Sequence, residues 1–251
     1  MGRVIFISAG PGSADLITVR GAARLREAEV VLFDALTDPA LRELAPDAQW
    51  IDVGKRGFNH ATSQSQINEL LVQHARSHVV ARLKGGDASL FGRLEEELQA
   101  LAAAGIASEV VPGVTSAIAA AAATQRPLTR RGSGRSVSFA TAMTRTGDLH
   151  ACRSADTEVF YMAGKQLGVL GPQLLAAGWE ADTPVLVVSR AGWPDQRVSE
   201  HTVQQLADAS SVHDSRPTIV TVGAGARPIV AEVTTPADKT APKPPPGVEP
   251  A

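Results

Sequence analysis

The sequence predicts an α/β protein, because short apolar runs alternate with segments of helical pattern along most of its 251 residues. Three observations carry this prediction. Apolar runs such as residues 4–7 have the length of buried parallel strands. A glycine turn, Gly10-Pro11-Gly12, follows the first run and opens a helical segment. A second series of strands and helices begins beyond Pro112-Gly113, which predicts two domains.

The first series has the order of a doubly wound parallel sheet, with helices between successive strands. The predicted strands are residues 4–7, 30–33, 50–53, 79–83 and 108–111. The predicted helices are residues 15–28, 39–44, 64–76 and 94–104. Open parallel sheets bind their ligands at the carboxyl ends of the strands, so the turns after these strands are the places to look for a site.

The second series starts with an alanine-rich helix, residues 116–124, whose small side chains suit close packing at a domain junction. Its predicted strands are residues 136–140, 159–162, 185–188 and 219–222, with helices at 169–177 and 203–208. We therefore predict an N-terminal domain at 1–113 and a C-terminal domain at 114–233. Residues 234–251 are rich in proline and lysine and are predicted to be a disordered tail.

Composition excludes several classes of protein. With 44% hydrophobic and 20% charged residues the chain is globular. A formal net charge of −2 argues against a nucleic-acid-binding surface, and no apolar run approaches a bilayer span. The single cysteine excludes an internal disulfide and a CxxC metal site, and the histidines have no metal-ligand spacing. We expect a cytoplasmic protein with no metal, no nucleic-acid partner and no membrane partner.

The segment from Arg82 to Arg93 carries the strongest functional signal. It joins a predicted strand to a predicted helix and contains Gly85-Gly86-Asp87. Adjacent glycines let a ligand approach the backbone closely, and a carboxylate accepts from hydroxyl or ammonium donors. The alternative for the three residues alone is an ordinary tight turn with a surface aspartate.

The glycine turn after the first predicted strand does not match the common nucleotide-binding motifs. A G-x-G-x-x-G pattern starting at Gly10 fails, because its last position is Asp15. A P-loop is absent from the sequence as well, since Gly54-Lys55 is followed by Arg56. A ligand that carries adenosine without phosphate, such as S-adenosylmethionine, remains compatible with the turn.

Several segments together resemble the tetrapyrrole methylase family, and within it the uroporphyrinogen-III C-methyltransferases. The ordered segments, within residues 3–225, include Ala9-Gly-Pro-Gly12, Val31-Leu-Phe-Asp34, Val53-Gly-Lys55-Arg56, Arg82 to Arg93, Val110-Val-Pro-Gly-Val-Thr115-Ser116, Pro127-Leu-Thr-Arg-Arg131, Tyr161-Met162 and Pro194-Asp-Gln-Arg197. The resemblance implies two α/β/α domains with a ligand cleft between them, within a homodimer.

The resemblance also implies an activity. S-adenosylmethionine would donate methyl groups to C2 and C7 of uroporphyrinogen III, giving precorrin-2 by way of precorrin-1, with S-adenosylhomocysteine as the other product. The positions that match the family's cofactor-binding residues are Pro11, Gly85, Gly86, Asp87, Leu90, Thr115, Ser116, Met162, Ala191 and Thr218.

Four positions match the family's substrate-binding residues: Arg93, Glu96, Arg131 and Met162. The substrate carries eight carboxylates, and the arginine fork suits carboxylate geometry. The alternatives are a surface ion pair for Arg93 and Glu96, a solvated loop for Arg131 and a core side chain for Met162.

Two positions match the family's proposed acid–base pair. Asp34, at the end of a predicted strand, matches the proton acceptor, and Lys55 matches the proton donor. The alternatives are a structural acceptor or helix cap for Asp34 and a carboxylate clamp for Lys55.

Three positions depart from the family's usual residues. Ala88 stands where proline follows Gly-Gly-Asp, Met143 stands where histidine follows Thr-Gly, and Ala163 stands where glycine follows Tyr-Met. Two other functions stay open: methylation of a later corrin intermediate, and a non-catalytic module that binds S-adenosylmethionine or a porphyrinoid.

Overall fold

A computed structural model describes residues 2–56, 60–143, 149 and 151–229, with the backbone alone at 55–56 and 60–61. The predicted tail at 234–251 lies outside these residues. Strands and helices are numbered below in chain order. In the described part of the chain, no helix is long and apolar enough to cross a membrane.

Five parallel strands form the N-terminal sheet, in the order β3-β2-β6-β1-β7. They are β1 Arg3–Ser8, β2 Val30–Phe33, β3 Gln49–Asp52, β6 Val79–Lys84 and β7 Ser108–Val111. All five were predicted, to within a residue or two at either end. A separate two-residue pair, β4 Lys55–Arg56 and β5 His60–Ala61, follows β3.

The helices of this half are α1 Val19–Leu25, α2 Gln64–His74 and α3 Leu94–Ala103, with short 3-10 turns at Ala14–Leu16 and Pro39–Leu44. The single predicted helix at 15–28 is wrong, because the chain becomes extended at Ile17 and Thr18. The Thr18 hydroxyl accepts a hydrogen bond from the Gly21 N–H at 3.0 Å, so a new helix begins there.

The C-terminal sheet has the order β11-β10-β12-β9-β8 and is mixed, because only β8 and β9 run parallel. Its strands are β8 Val137–Thr141, β9 Thr157–Tyr161, β10 Pro184–Ser189, β11 Arg197–Thr202 and β12 Thr218–Gly223. Its helices are α4 Ser116–Ala123, α5 Leu167–Ala176 and α6 Ser210–His213.

Two features of the C-terminal half differ from the prediction. Strand β11, Arg-Val-Ser-Glu-His-Thr, was not predicted, because as an edge strand that is largely open to solvent it lacks an apolar run. The predicted helix at 203–208 is wrong. A 3-10 turn at Leu206–Ala209 and the single turn α6 follow instead.

Each sheet is covered on both faces, which confirms the predicted α/β/α layers. In β1, Ile5 and Ile7 belong to one buried cluster, while Val4 and Phe6 belong to the cluster on the other face. In the C-terminal sheet one cluster includes α5 and the other includes α4. The two sheets lie on either side of residue 113, where the domain boundary stays a prediction.

One ionic group lies inside the N-terminal half. Glu97 of α3 is fully buried, and its two carboxylate oxygens each lie 3.0 Å from the Lys84 Nζ. The Arg82 Nε also donates to Glu97, at 3.2 Å. Burial is the main cause that lowers the pKa of Lys84 from its ordinary value, and the charge of Arg82 acts in the same direction. The group anchors the end of β6, from which the chain enters Gly85-Gly86-Asp87.

Candidate active site

A cleft lies between the two sheets, where the turns after β2, β6 and β9 meet the loops that follow β10 and precede β12. All ten residues expected to bind a cofactor line this cleft, although they come from distant parts of the chain. They are Pro11, Gly85, Gly86, Asp87, Leu90, Thr115, Ser116, Met162, Ala191 and Thr218. The predicted proton acceptor, Asp34, lines it as well.

The floor of the cleft depends on a backbone bridge between two turns. Gly10 and Gly86 exchange hydrogen bonds of 3.2 and 2.9 Å between their N–H and carbonyl groups. Gly86 has φ of +71°, and a Cβ built there would meet no atom within 4 Å. The glycine therefore lines open cleft space, where a ligand can approach the backbone.

Asp87 joins this floor to the N-terminal side of α4. Its carboxylate accepts from the Gly113 N–H at 2.8 Å and from the N–H and hydroxyl of Ser89. Partial burial opposes ionisation, but the hydrogen bonds from Ser89 and Gly113 outweigh it and lower the pKa of Asp87 below its ordinary value. Asp87 is therefore an ionised anchor of the loop as well as part of the cleft wall.

Aromatic and hydroxyl groups form the next part of the wall. The Tyr161 hydroxyl lies 2.8 Å from the Thr115 Oγ1, and the Phe91 and Tyr161 ring centroids are 4.9 Å apart. Burial raises the pKa of Tyr161, although the Thr115 hydrogen bond opposes this. Met162 follows with φ of +58°; the residue is 38% exposed and lines the cleft rather than a core.

Asp34 follows β2 at the cleft edge. Its two oxygens accept from the Leu36 N–H at 2.9 Å and from the Gly85 N–H at 3.2 Å. These contacts fix the orientation of the carboxylate and leave further lone-pair positions for a proton or a ligand. Asp34 therefore acts as a structural acceptor, which was the alternative prediction, and it also lies in the cleft.

The other predicted residues lie elsewhere. Arg93 and Glu96 pair through two hydrogen bonds of 2.7 Å, on exposed side chains that do not line the cleft. Arg131 is exposed in a turn closed by the bridge between Arg130 and Gly134. The side chain of Lys55 is outside the described part of the chain. Within that part, no three His, Cys, Asp or Glu side chains are placed to hold a metal ion.

Sequence reasoning missed several cleft residues. Phe91, Tyr161, Arg190 and Trp193 line the cleft, yet none was assigned a role. The sequence held a usable signal for two of them. Tyr161 is the last residue of β9 and Arg190 directly follows β10, so both lie at the same sheet edge as Met162 and Ala191. Trp193 had no such signal, since its position depends on the folding of the 190–196 loop.

The departure at Ala88 has a structural explanation. Ala88 is buried, and its N–H donates to the Ser8 hydroxyl at 3.0 Å. Proline at this position would lack that donor.

The other two departures lie in different environments. Ala163 is fully buried behind Met162, whereas Met143 is 51% exposed. The three departures thus fall in three different environments.

Replacing Gly86 with alanine is expected to weaken S-adenosylhomocysteine binding by about tenfold, because the new methyl group occupies open cleft space. Titration calorimetry measures this. The matched control is Gly105→Ala, since Gly105 has a similar φ of +67°, also meets nothing within 4 Å and lies outside the cleft. Equal loss of binding in both variants would mean that backbone strain, not the cleft, causes the effect.

The described groups fit a ligand with a polar amino-acid end and an adenosine end. Thr115 and Ser116 offer hydroxyl groups, and the 85–87 turn offers backbone groups beside open space. Leu90, Phe91 and Met162 provide the apolar and polarisable surface on which a flat base or a sulfonium methyl can pack.

Comparison with known proteins assigns the chain to a family. The sequence pattern of the Tetrapyrrole (Corrin/Porphyrin) Methylases matches residues 3–207. A relative named uroporphyrinogen-III C-methyltransferase, from Synechocystis, is 40% identical over 234 residues, with 89% of each chain covered.

Two further relatives bear on length and ligand. A siroheme synthase from Klebsiella pneumoniae is 42% identical over 82% of this chain, which spans only 45% of that longer protein. A uroporphyrin-III C-methyltransferase from Thermus thermophilus, solved with S-adenosyl homocysteine, superposes with a TM-score of 0.77. It is 35% identical, over 88% of this chain and 97% of its own.

Proposed function

Because the chain belongs to the tetrapyrrole methylase family, we propose that it is an S-adenosylmethionine-dependent C-methyltransferase that acts on uroporphyrinogen III. Methylation at C2 and C7 would yield precorrin-2 by way of precorrin-1. The observation that carries the proposal is the assembly of all ten expected cofactor residues and Asp34 in one cleft between the sheets.

The cofactor supplies an activated methyl group, so the protein must chiefly position the reacting carbon and exclude water. The 85–87 turn with Thr115 and Ser116 would hold the amino-acid end of the cofactor. Met162, at the cleft wall with φ of +58°, would direct the methyl group toward the substrate. A backbone in this sparsely populated region is typical of functional sites.

Asp34 would accept the proton that the macrocycle releases after methylation, since the methylated carbon itself already carries a side chain and has no hydrogen to lose. Its carboxylate is held by the N–H groups of Leu36 and Gly85, and it lies at the same edge as the cofactor turn. Lys55 is the proposed proton donor on the strength of its place in the Val-Gly-Lys-Arg segment.

The substrate would extend beyond the cleft toward exposed cations. Arg93 and Arg131 are exposed and would bind propionate or acetate groups of uroporphyrinogen III, with Glu96 orienting Arg93 through their two hydrogen bonds. Binding of a carboxylate would then require Arg93 to be shared with, or released from, Glu96. A homodimer and a cytoplasmic location complete the proposal.

The first experiment incubates the purified protein without oxygen with S-adenosylmethionine and enzymatically made uroporphyrinogen III. We expect the oxidised product to gain two methyl groups in the mass spectrum and to absorb as a dipyrrocorphin. A later corrin intermediate offered in parallel serves as the specificity control.

Two results would contradict the proposal. Methylation of the later intermediate alone would reassign the substrate. Binding of S-adenosylhomocysteine without any methyl transfer would favour a non-catalytic module.

A further inference from the structure

The loop at residues 190–196, between β10 and β11, forms one wall of the cleft and also contacts the other half of the molecule. Arg190, Ala191 and Trp193 line the cleft. The Ser13 N–H, in the first turn of the N-terminal half, donates to the Gly192 carbonyl at 3.0 Å. The position of this loop therefore fixes both the shape of the wall and the spacing across the cleft.

Asp195 holds the loop together through two arginines. Its carboxylate lies 2.7 Å from the Arg190 Nε and 3.0 Å from a terminal nitrogen of Arg216. That nitrogen also donates to the Asp195 carbonyl at 2.5 Å. The Arg190 guanidinium lies 4.3 Å from the Trp193 ring centroid, so the two cleft-lining side chains are fixed together. Arg190 has φ of +51°, a conformation that needs such support.

Arg216 is in turn fixed from inside the C-terminal sheet. Its Nε donates to the Ser189 hydroxyl at 3.0 Å, and the same hydroxyl lies 2.9 Å from the His213 Nδ1. The His213 Nε2 lies 2.9 Å from the Ser199 hydroxyl, which is 2.7 Å from the His201 Nε2. Ser189 and His213 are both fully buried. A continuous hydrogen-bonded chain thus runs from β11 to the cleft wall.

The arginine and the buried histidine limit how the hydrogen bonds in this chain can run. Arg216 can only donate, so the Ser189 hydroxyl accepts from it and keeps its own hydrogen available for the His213 Nδ1. In the neutral ring with its proton on Nε2, the Nδ1 accepts from Ser189 and the Nε2 donates to Ser199. Burial is the main cause that lowers the pKa of His213 to about 4, and His201, Arg216 and Arg197 lower it further. The buried ring is therefore neutral near about pH 7 and can accept from Ser189.

We propose that His213, Arg216 and Asp195 are positioning residues for S-adenosylmethionine, which hold the 190–196 loop and its Arg190–Trp193 pair in the shape that the cofactor requires. The inference rests on the proposed function and adds to it residues that do not line the cleft. None of the three bears on proton removal, so they should affect cofactor affinity more than turnover.

The test compares Asp195→Ala, His213→Leu and His213→Gln with the unmodified protein. Calorimetry gives the Kd of S-adenosylhomocysteine, and the methylation assay separates the KM for S-adenosylmethionine from kcat. We expect Asp195→Ala and His213→Leu to raise Kd and KM by about tenfold, with kcat unchanged at saturating cofactor. Gln carries an acceptor and a donor, so His213→Gln should restore most of the affinity.

The matched control is Glu200→Ala. Glu200, on β11, pairs with Arg126 away from the cleft, and its exposed fraction of 61% is close to the 54% of Asp195. Because the Asp195 side chain is more than half exposed, we expect Asp195→Ala to keep its fold. Unchanged Kd values in both Asp195→Ala and His213→Leu would overturn the inference while the proposed function stands. Failure of the unmodified protein to bind S-adenosylhomocysteine would instead contradict both.

Discussion

Replacing Asp34 with asparagine is expected to lower kcat for methylation by about a thousandfold, the range lost when a positioned general base is removed. Asparagine keeps the shape of the side chain and can still accept from Leu36 or Gly85 N–H, so the turn should persist. The Kd of S-adenosylhomocysteine should stay unchanged, because the removed function concerns the proton of the substrate. Single-turnover kinetics together with calorimetry check both expectations.

Asp38→Asn is the matched control. Asp38 also follows β2 and accepts from two backbone N–H groups, those of Ala40 and Ala14, each at 2.9 Å. It does not line the cleft. If both variants lose the same activity, Asp34 acts as a structural acceptor and another group takes the proton.

The second large effect concerns stability. Replacing the buried Glu97 with glutamine is expected to lower the free energy of unfolding by about 3 kcal/mol or more, because Arg82 and Lys84 lose their shared carboxylate inside the fold. Urea unfolding followed by circular dichroism measures this. Glu95→Gln, an exposed position in the same first turn of α3, is the control and should cost well below 1 kcal/mol.

The stability lost in Glu97→Gln should depend on pH in a defined direction. Burial lowers the pKa of Lys84, and the Glu97 carboxylate raises it. Removing that carboxylate therefore lowers the pKa of Lys84 further. The folded state then binds fewer protons than the unfolded state over a wider pH range, and stability rises with pH across that range. The deficit of Glu97→Gln should therefore be smaller near about pH 9 than near about pH 6. A deficit that grows with pH would show that Lys84 is not the group that responds.

The fold was predictable where burial dominates. Strands β1, β2 and β6 are the inner strands of the N-terminal sheet and are almost wholly buried, so each appears as a largely apolar run in the sequence. The partly exposed edge strands β3 and β7 were located as well, from shorter apolar segments. Strand β11 has a polar sequence and takes its conformation from pairing with β10, which a local pattern does not contain. The antiparallel directions of β10 and β12 depend in the same way on tertiary contacts.

The site was predictable only in part. The resemblance brought forward residues that the structure places in one cleft, such as Pro11, Thr115 and Ala191. The contacts of Asp87 with Gly113 and of Arg216 with Ser189 join residues far apart in sequence, and no spacing rule reveals them. The buried Glu97 looks like any other residue of the Glu-Glu-Glu run at 95–97, because helix phase alone does not show that Arg82 and Lys84 face it.

The contact between Gly12 and Gly192 has a consequence for redesign. Each backbone lies so close to the other that a Cβ at Gly192 would overlap the Pro11 carbonyl, and one at Gly12 would overlap Gly192. The gap between the two halves is thus set by main chain against main chain, which side-chain exchange cannot widen. An engineer who wants the pocket to accept a bulkier alkyl donor should shorten Leu36 or Phe91, which line the cleft, and leave this junction alone.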